Sequence, residues 1–197
     1  MAEAPRHFTL MFTGQIEVAE IPGCHNAYCK YLMVYGDDWS VIEGLEDGIT
    51  QITRGSSPDG KLVWNFPLDV TFRSTNAFGW PQIIISVFEV DAFGRDIING
   101  YGCTHLPISA GRHVRKVHLY KPLSASLLQQ FTSWVSGMPA EFTDPKFPSV
   151  GHGREVTRVK STGTALVQLN VMIKDMAVFG YAEESGHGGN SSHMETM

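Results

Sequence analysis

Residues 62–102 hold two strand patterns of different character, and together they demand an antiparallel sheet. Leu68, Val70, Phe72 and Ser74 alternate with Asp69, Thr71 and Arg73. A period of two gives one apolar face and one wet face, as in a half-buried strand. Residues 83–90 are instead apolar on both parities, apart from Ser86 and Glu89. Such a strand is covered on both sides and sits in the middle of a sheet. Residues 74–81 between the two are rich in turn formers. Pro81 holds Trp80 extended and lacks a ladder donor, so the second strand begins after it. Residues 91–96 then make an acidic loop before the next strand.

The rest of the chain follows the same alternation. Phe8, Leu10, Phe12, Ile16 and Val18 alternate with Thr9, Thr13, Gln15 and Glu17, a long first strand with Gly14 as the expected bulge. Residues 28–35 are rich in aromatic and β-branched residues and read as the second strand. Residues 41–48 fit neither period and are read as ambiguous, an insertion, while 49–53 form a short strand candidate. Residues 55–60 are a loop, and 97–106, 112–120 and 165–173 are further strands. One helix is predicted over about 124–136, where Leu127, Leu128, Phe131, Trp134 and Val135 fall on one helical face. The expected fold is all-β: an antiparallel sandwich of about eight strands with that one short helix, spanning residues 8–181. Residues 182–197 are too polar to pack and are expected to be a disordered tail.

Composition excludes several functions. A net charge of -5 over 197 residues argues against a general nucleic-acid partner. Three cysteines, Cys24, Cys29 and Cys103, make no disulfide framework and no CxxC pair, which points to a reducing compartment. The first residues lack the apolar core of a signal peptide, and no apolar run approaches the roughly 20 residues that span a membrane. Neither secretion nor a transmembrane segment is therefore expected.

The candidate sites each have a plain structural alternative. Glu89, Asp91 and Asp96 gather at the end of a central strand. Calcium needs six to eight oxygen ligands from more than one loop, and residues 22–26 offer no carboxylate. An ordinary solvated loop fits better, so no cofactor and no catalytic residue is expected. Cys24, His25 and Cys29 lack the second ligand pair that zinc requires. Cys103 and His105 share a strand face by parity, but no orienting group or oxyanion feature accompanies them.

Arg112, His113, Arg115, Lys116, His118 and Lys121 make a dense basic run, which a strand splits between its two faces. Arg154, Arg158 and Lys160 make a second cluster. These charges either guard an open strand edge or meet an acidic partner or an acidic membrane surface. Among the tryptophans, Trp80 in its turn is the candidate for exposure and contact, and Trp39, Trp64 and Trp134 belong to the core. The loops 22–26, 75–81 and 91–96 are the expected tips.

Two resemblances emerge from these segments. Asn26-Ala27-Tyr28-Cys29-Lys30 resembles the Asp-Pro-Tyr-Val-Lys run of the C2 superfamily of calcium- and lipid-binding sandwiches. Residues 62–72 resemble that family's Pro-x-Trp-Asn strand opening, and 87–100 its third loop. Asn26 and Glu89 stand where aspartate ligands would be, and Asp96 sits one residue early, so the resemblance does not imply calcium binding. A more specific similarity covers residues 8–181. It is carried by 28–31, 34–39, 44–46, 48–52, the central stretch, 131–134, 143–146 and 153–159, all of which resemble the B9 domain family.

That second resemblance implies a divergent C2-like sandwich without catalytic activity. It implies a structural subunit of the ciliary transition-zone complex, also called the Meckel syndrome or tectonic-like complex. The implied partners are the second B9-domain protein, the Meckel syndrome type 1 protein, tectonics and meckelin-type membrane proteins. The implied place is the cytoplasmic side of the cilium base, at the basal body, transition zone and associated cytoskeleton. The implied roles are ciliogenesis, a diffusion barrier and hedgehog signalling. The alternative is a peripheral lipid-binding module that targets membranes by itself.

Overall fold

A computed structural model describes residues 5–55, 60–122, 146 and 158–181. Among them, ten strands form one curled antiparallel sheet: β1 (Phe8–Glu20), β2 (Asn26–Val34), β3 (Trp39–Gly44), β4 (Asp47–Ile49), β5 (Thr53–Arg54), β6 (Lys61–Ser74), β7 (Gln82–Val90), β8 (Asp96–His105), β9 (Gly111–Pro122) and β10 (Val159–Lys174). The spatial order is β3-β6-β1-β10-β9-β8-β7-β2-β4, with β5 also on β2. The all-β antiparallel expectation holds. The predicted helix at 124–136 and the predicted tail at 182–197 lie outside the described residues.

The sheet folds over between β8 and β9, which pair only at Tyr101 and Tyr120. This crease yields two layers, β3-β6-β1-β10-β9 and β8-β7-β2-β4. Their inner faces close on one core. Phe8, Leu10, Phe12 and Ile16 from β1 meet Ile83, Ile85 and Val87 from β7 within a single buried cluster. Burying side chains of this size stabilises by about 1.5–3 kcal/mol each. The other parity of β7 is buried as well. Ile84 is covered, and Phe88 packs with Tyr28, Ile98 and Tyr101 in a second cluster. The continuous apolar run at 83–90 thus marks a strand between β2 and β8 with cover on both faces.

The structure corrects three details. The bulge in β1 is at Glu17, an extra residue against β10, and β6 bulges opposite it, where Ile16 pairs with Phe66 and Val18 with Val63. Two residues of β6, Trp64 and Asn65, therefore oppose one, and Asn65 takes the left-handed conformation at φ 47° that this geometry needs. Gly14 stays in register, and it is glycine because a Cβ there would sit 2.0 Å from the Gln168 carbonyl oxygen. Residues 41–48 are not a simple insertion, because β3 lies along the end of β6 as an edge strand. The candidate strand at 49–53 is two short pieces, β4 and β5. They are separated by buried Thr50, whose hydroxyl accepts from the Cys29 N–H at 2.9 Å.

Candidate functional site

The basic run lies on β9, which pairs along its length with β10. Val117 and Leu119 point inward and are buried. That parity sends Arg112, Val114, Lys116 and His118 to the outer face. His113, Arg115 and Lys121 share the inner parity. Arg115 is exposed nonetheless, while His113 and Lys121 are half-buried. His113 Nε2 lies 2.9 Å from the Ser109 carbonyl and ties the strand to the preceding turn. Arg112 donates to Gln168 Oε1 at 2.9 Å, and Gln168 Nε2 donates to Glu17 across β10.

Among the described residues, the first half of β9 has a ladder partner only on its β10 side. The open side is where a basic edge blocks unwanted strand addition and where a chosen partner can dock. From the second cluster, Lys160 pairs in register with Lys121, and Arg158 is exposed just before β10. The two basic segments therefore share one β9–β10 ribbon. Arg154 lies outside the described residues.

The loops at 22–25 and 91–95 share one end of the sandwich, since Ala27 pairs with Glu89. Two of the carboxylates there, Glu89 and Asp91, are already engaged. Glu89 accepts from the His25 N–H at 3.1 Å and from Asn99 Nδ2 at 2.6 Å. Asp91 accepts from the backbone N–H groups of Phe93 and Arg95 at 2.8 and 2.9 Å, and Arg95 also binds it through its guanidinium at 2.7 Å. The Arg95 backbone N–H foremost, together with the guanidinium, holds the Asp91 carboxyl below its ordinary value. Asp96 is exposed at the start of β8. Among the described residues, no three His, Cys, Asp or Glu side chains are placed to hold a metal ion together. At the tip of this loop stands Phe93, 84% exposed, with the Arg95 guanidinium 5.2 Å from its ring centre.

The cysteines are placed by packing. Cys24 and Cys29 are buried. Burial, helped by Glu89, pushes the Cys24 thiol up to about 11, and burial pushes Cys29 further still. Cys103 donates to Gln82 Oε1 at 3.0 Å.

The loop at 75–81 is at the opposite end, where it meets the turn after β2. Trp80 is not the exposed aromatic of this loop. Its indole N–H donates to the Leu106 carbonyl at 2.9 Å, and its ring meets Trp39 edge-on at 5.1 Å. A ring with its polar edge satisfied and its body against another indole belongs to the fold. The exposed aromatic is Phe78, two residues earlier. No pattern in the sequence separates the two, because both follow turn residues.

Sequence reasoning passed over a third surface. The strap formed by residues 37–54 crosses from the edge of one layer to the edge of the other. Residues 42–47 are all exposed, and Ile42, Leu45, Ile49 and Ile52 present apolar side chains to solvent. Asp37, Asp38, Glu43, Glu46 and Asp47 accompany them, against a single base, Arg54. Tyr35 donates to Glu46 at 2.8 Å, and burial together with that carboxylate pushes the Tyr35 hydroxyl up to about 12.

Comparison with known proteins places these features among relatives. Residues 10–172 match a family model, B9-C2, described as "Ciliary basal body-associated, B9 protein". The chain is 53% identical to B9 domain-containing protein 1 of Xenopus laevis over 92% of both chains. It is 52% identical to the Homo sapiens protein of the same name, over 90% of this chain and 88% of that one. It is 27% identical to B9 domain-containing protein 2 of Danio rerio, over 79% of this chain and 88% of that one. Among solved structures, the C2A domain of a plant extended synaptotagmin 1 aligns with a TM-score of 0.45 at 10% identity, over 84% of this chain and 93% of that one.

Proposed function

The chain belongs to the B9 family of ciliary basal body-associated proteins, and from that membership we propose that it is a non-enzymatic scaffold subunit of the complex at the ciliary transition zone. In this reading it stands on the cytoplasmic side of the cilium base and assembles with the second B9-domain protein and the Meckel syndrome type 1 protein. Through them it joins tectonics and meckelin-type membrane proteins, and it serves ciliogenesis, the diffusion barrier and hedgehog signalling. The observation that carries the reading is the identity of about half over nine-tenths of the chain to B9 domain-containing protein 1. The described geometry is compatible with it: Glu89 and Asp91 in the tip loops accept structural hydrogen bonds, while among the described residues the basic first half of β9 has a ladder partner on one side alone.

On this view Arg112, Arg115 and Lys116, with Arg158 and Lys160 beside Lys121, form the face that meets an acidic partner. Reversing the charges of Arg112, Arg115 and Lys116 tests it. Co-purification with the sister B9 protein should be lost while circular dichroism stays unchanged. Undiminished assembly would reduce the run to edge protection.

A second reading is a peripheral membrane module, and Phe93 favours it. An exposed aromatic tip beside Arg95 suits the boundary of an anionic bilayer, where each base contributes about 1 kcal/mol. Sedimentation of the chain with phosphatidylserine vesicles, with and without calcium, separates the readings. Binding that Phe93→Ser abolishes would support the membrane module, and no binding would leave the scaffold.

A further inference from the structure

We propose that the acidic strap and the basic β9 edge are complementary halves of one interface, through which a second copy of this chain docks head to tail. The strap ends one side of the sheet path. β3 pairs only with β6, and its other side has no ladder partner among the described residues. Ile42 is the extra residue of a bulge, since Val41 pairs with Phe72 and Glu43 with Thr71. Ile42 is exposed at this bulge, and Leu45, three residues on, is 69% exposed. An edge that carries exposed apolar side chains and unpaired backbone attracts another edge.

The charge on each side selects which edge that is. Residues 37–54 carry five acids and one base, and residues 106–122 carry four Lys or Arg and no acid. The basic segment likewise exposes apolar side chains, Ile108 and Val114. Each surface therefore offers a strand edge, apolar side chains and one dominant sign of charge, and the signs are opposite. Two straps would repel each other, as would two β9 edges, and β3 and β9 lie at opposite ends of one layer, so a single two-fold contact does not join both pairs. The complementary contact is heterologous, strap to β9, and such contacts propagate into rings or open rows. This pairing uses the same β9 edge as the union with sister proteins proposed above, so on that edge the second copy and the sister protein compete.

Sedimentation velocity on the full chain tests the pairing. At low ionic strength the sedimentation coefficient should rise with concentration. At about 1 M salt, where the screening length is about 3 Å, it should return to that of the monomer. A strap variant (E43K, E46K and D47K) and an edge variant (R112E, R115E and K116E) should each associate at least about tenfold more weakly than the native chain. Mixing the two variants should restore association, because the reversed strap of one meets the reversed edge of the other. Should either triple variant misfold, the pairs E43K with D47K and R115E with K116E carry the same test. A native chain that stays monomeric at low salt overturns the proposal, whether or not it still binds a sister B9 protein. A mixture that fails to associate also overturns it.

Discussion

The indole N–H of Trp64 donates to the carbonyl oxygen of Ala27 at 3.2 Å, from β6 in one layer to β2 in the other. The Trp64 carbonyl in turn accepts from Gln51 Nε2 at 2.9 Å. Trp64 is buried within the main core, so its ring bridges the two layers and its backbone anchors the chain beside β5. Phenylalanine would keep most of the apolar surface but lose the donor and leave space beside β2. We expect Trp64→Phe to lower unfolding free energy by about 1–3 kcal/mol, measured by urea denaturation. An unchanged midpoint would mean the bridge contributes nothing to stability.

Gly36 and Gly79 touch at the other end of the sandwich. The Gly36 N–H donates to the Gly79 carbonyl at 2.9 Å. Gly79 has φ 68°, and a Cβ there would lie 2.6 Å from the Gly36 Cα. Gly79→Ala meets both a left-handed backbone and a clash with main chain. We expect it to cost more than about 1–2 kcal/mol, the left-handed penalty alone. Its neighbour Phe78 is 81% exposed and contributes its carbonyl, which accepts from Trp39 Nε1 at 2.8 Å. Phe78→Ser keeps that carbonyl and should change stability by no more than about 0.5 kcal/mol. Thermal unfolding of the two variants side by side checks the contrast.

The core was readable wherever alternation ran unbroken. Leu68 to Ser74 and the doubly buried Ile83 to Val87 announced their strands and their depth in the sheet. The signal failed where the chain breaks its own period. β3 was obscured because the bulge at Ile42 puts Val41 and Glu43 in consecutive ladder positions. The first half of β6 was obscured by left-handed Asn65 and by Pro67. β3 ends opposite Val70, so Pro67 has no ladder on that side, which is where proline is tolerated. Parity alone divides the basic run between two faces, but Arg115, on the inner parity, is exposed. That its first half has a ladder partner on one side alone among the described residues could not be read, because strand neighbours are set by pairing over long sequence distances. The strap escaped notice because isolated apolar residues in an acidic segment carry no periodic signature.

Thiol chemistry should divide the cysteines. Modification proceeds through the thiolate. Cys24 and Cys29 are buried with thiols raised well above the ordinary 9.0, Cys29 mainly by desolvation. Cys103 is only half-buried. At mild alkaline pH an alkylating reagent should modify Cys103 first, and Cys24 and Cys29 only as the chain unfolds. Mass spectrometry of peptides from the labelled native chain reads the order. The sign of the pH effect follows from the same shifts. A thiol raised in the folded state binds its proton more tightly there than when unfolded. Its contribution to stability is therefore complete below 9.0 and falls as pH rises past that value toward the folded one. Unfolding midpoints should decline above pH 9.0, and Cys24→Ser should lessen the decline. Rapid native-state labelling of Cys29 would contradict its placement in the core.

Asp91 orders the loop that carries Phe93, and its titration should show it. One carboxylate oxygen accepts from the N–H groups of Phe93 and Arg95, and the other accepts from Arg95 Nε at 2.8 Å. Every one of these bonds favours the charged carboxylate, led by the Arg95 backbone N–H, and the pKa is lowered from 3.8. A lowered value in the folded state makes the contribution to order complete above 3.8, and it is lost as pH falls through the lowered value. The amide signals of Phe93 and Arg95 should therefore hold steady down to about pH 4. They should then move together, with a midpoint below 3.8. In Asp91→Asn that shared transition should vanish, because the residue no longer titrates. The guanidinium of Arg95 then loses its charge partner, and its heteronuclear relaxation should report faster motion at neutral pH. A midpoint at or above 3.8 in the native chain would mean the loop is not closed by Asp91 in solution. Phe93 would then lack the rigid support that a membrane-facing tip requires.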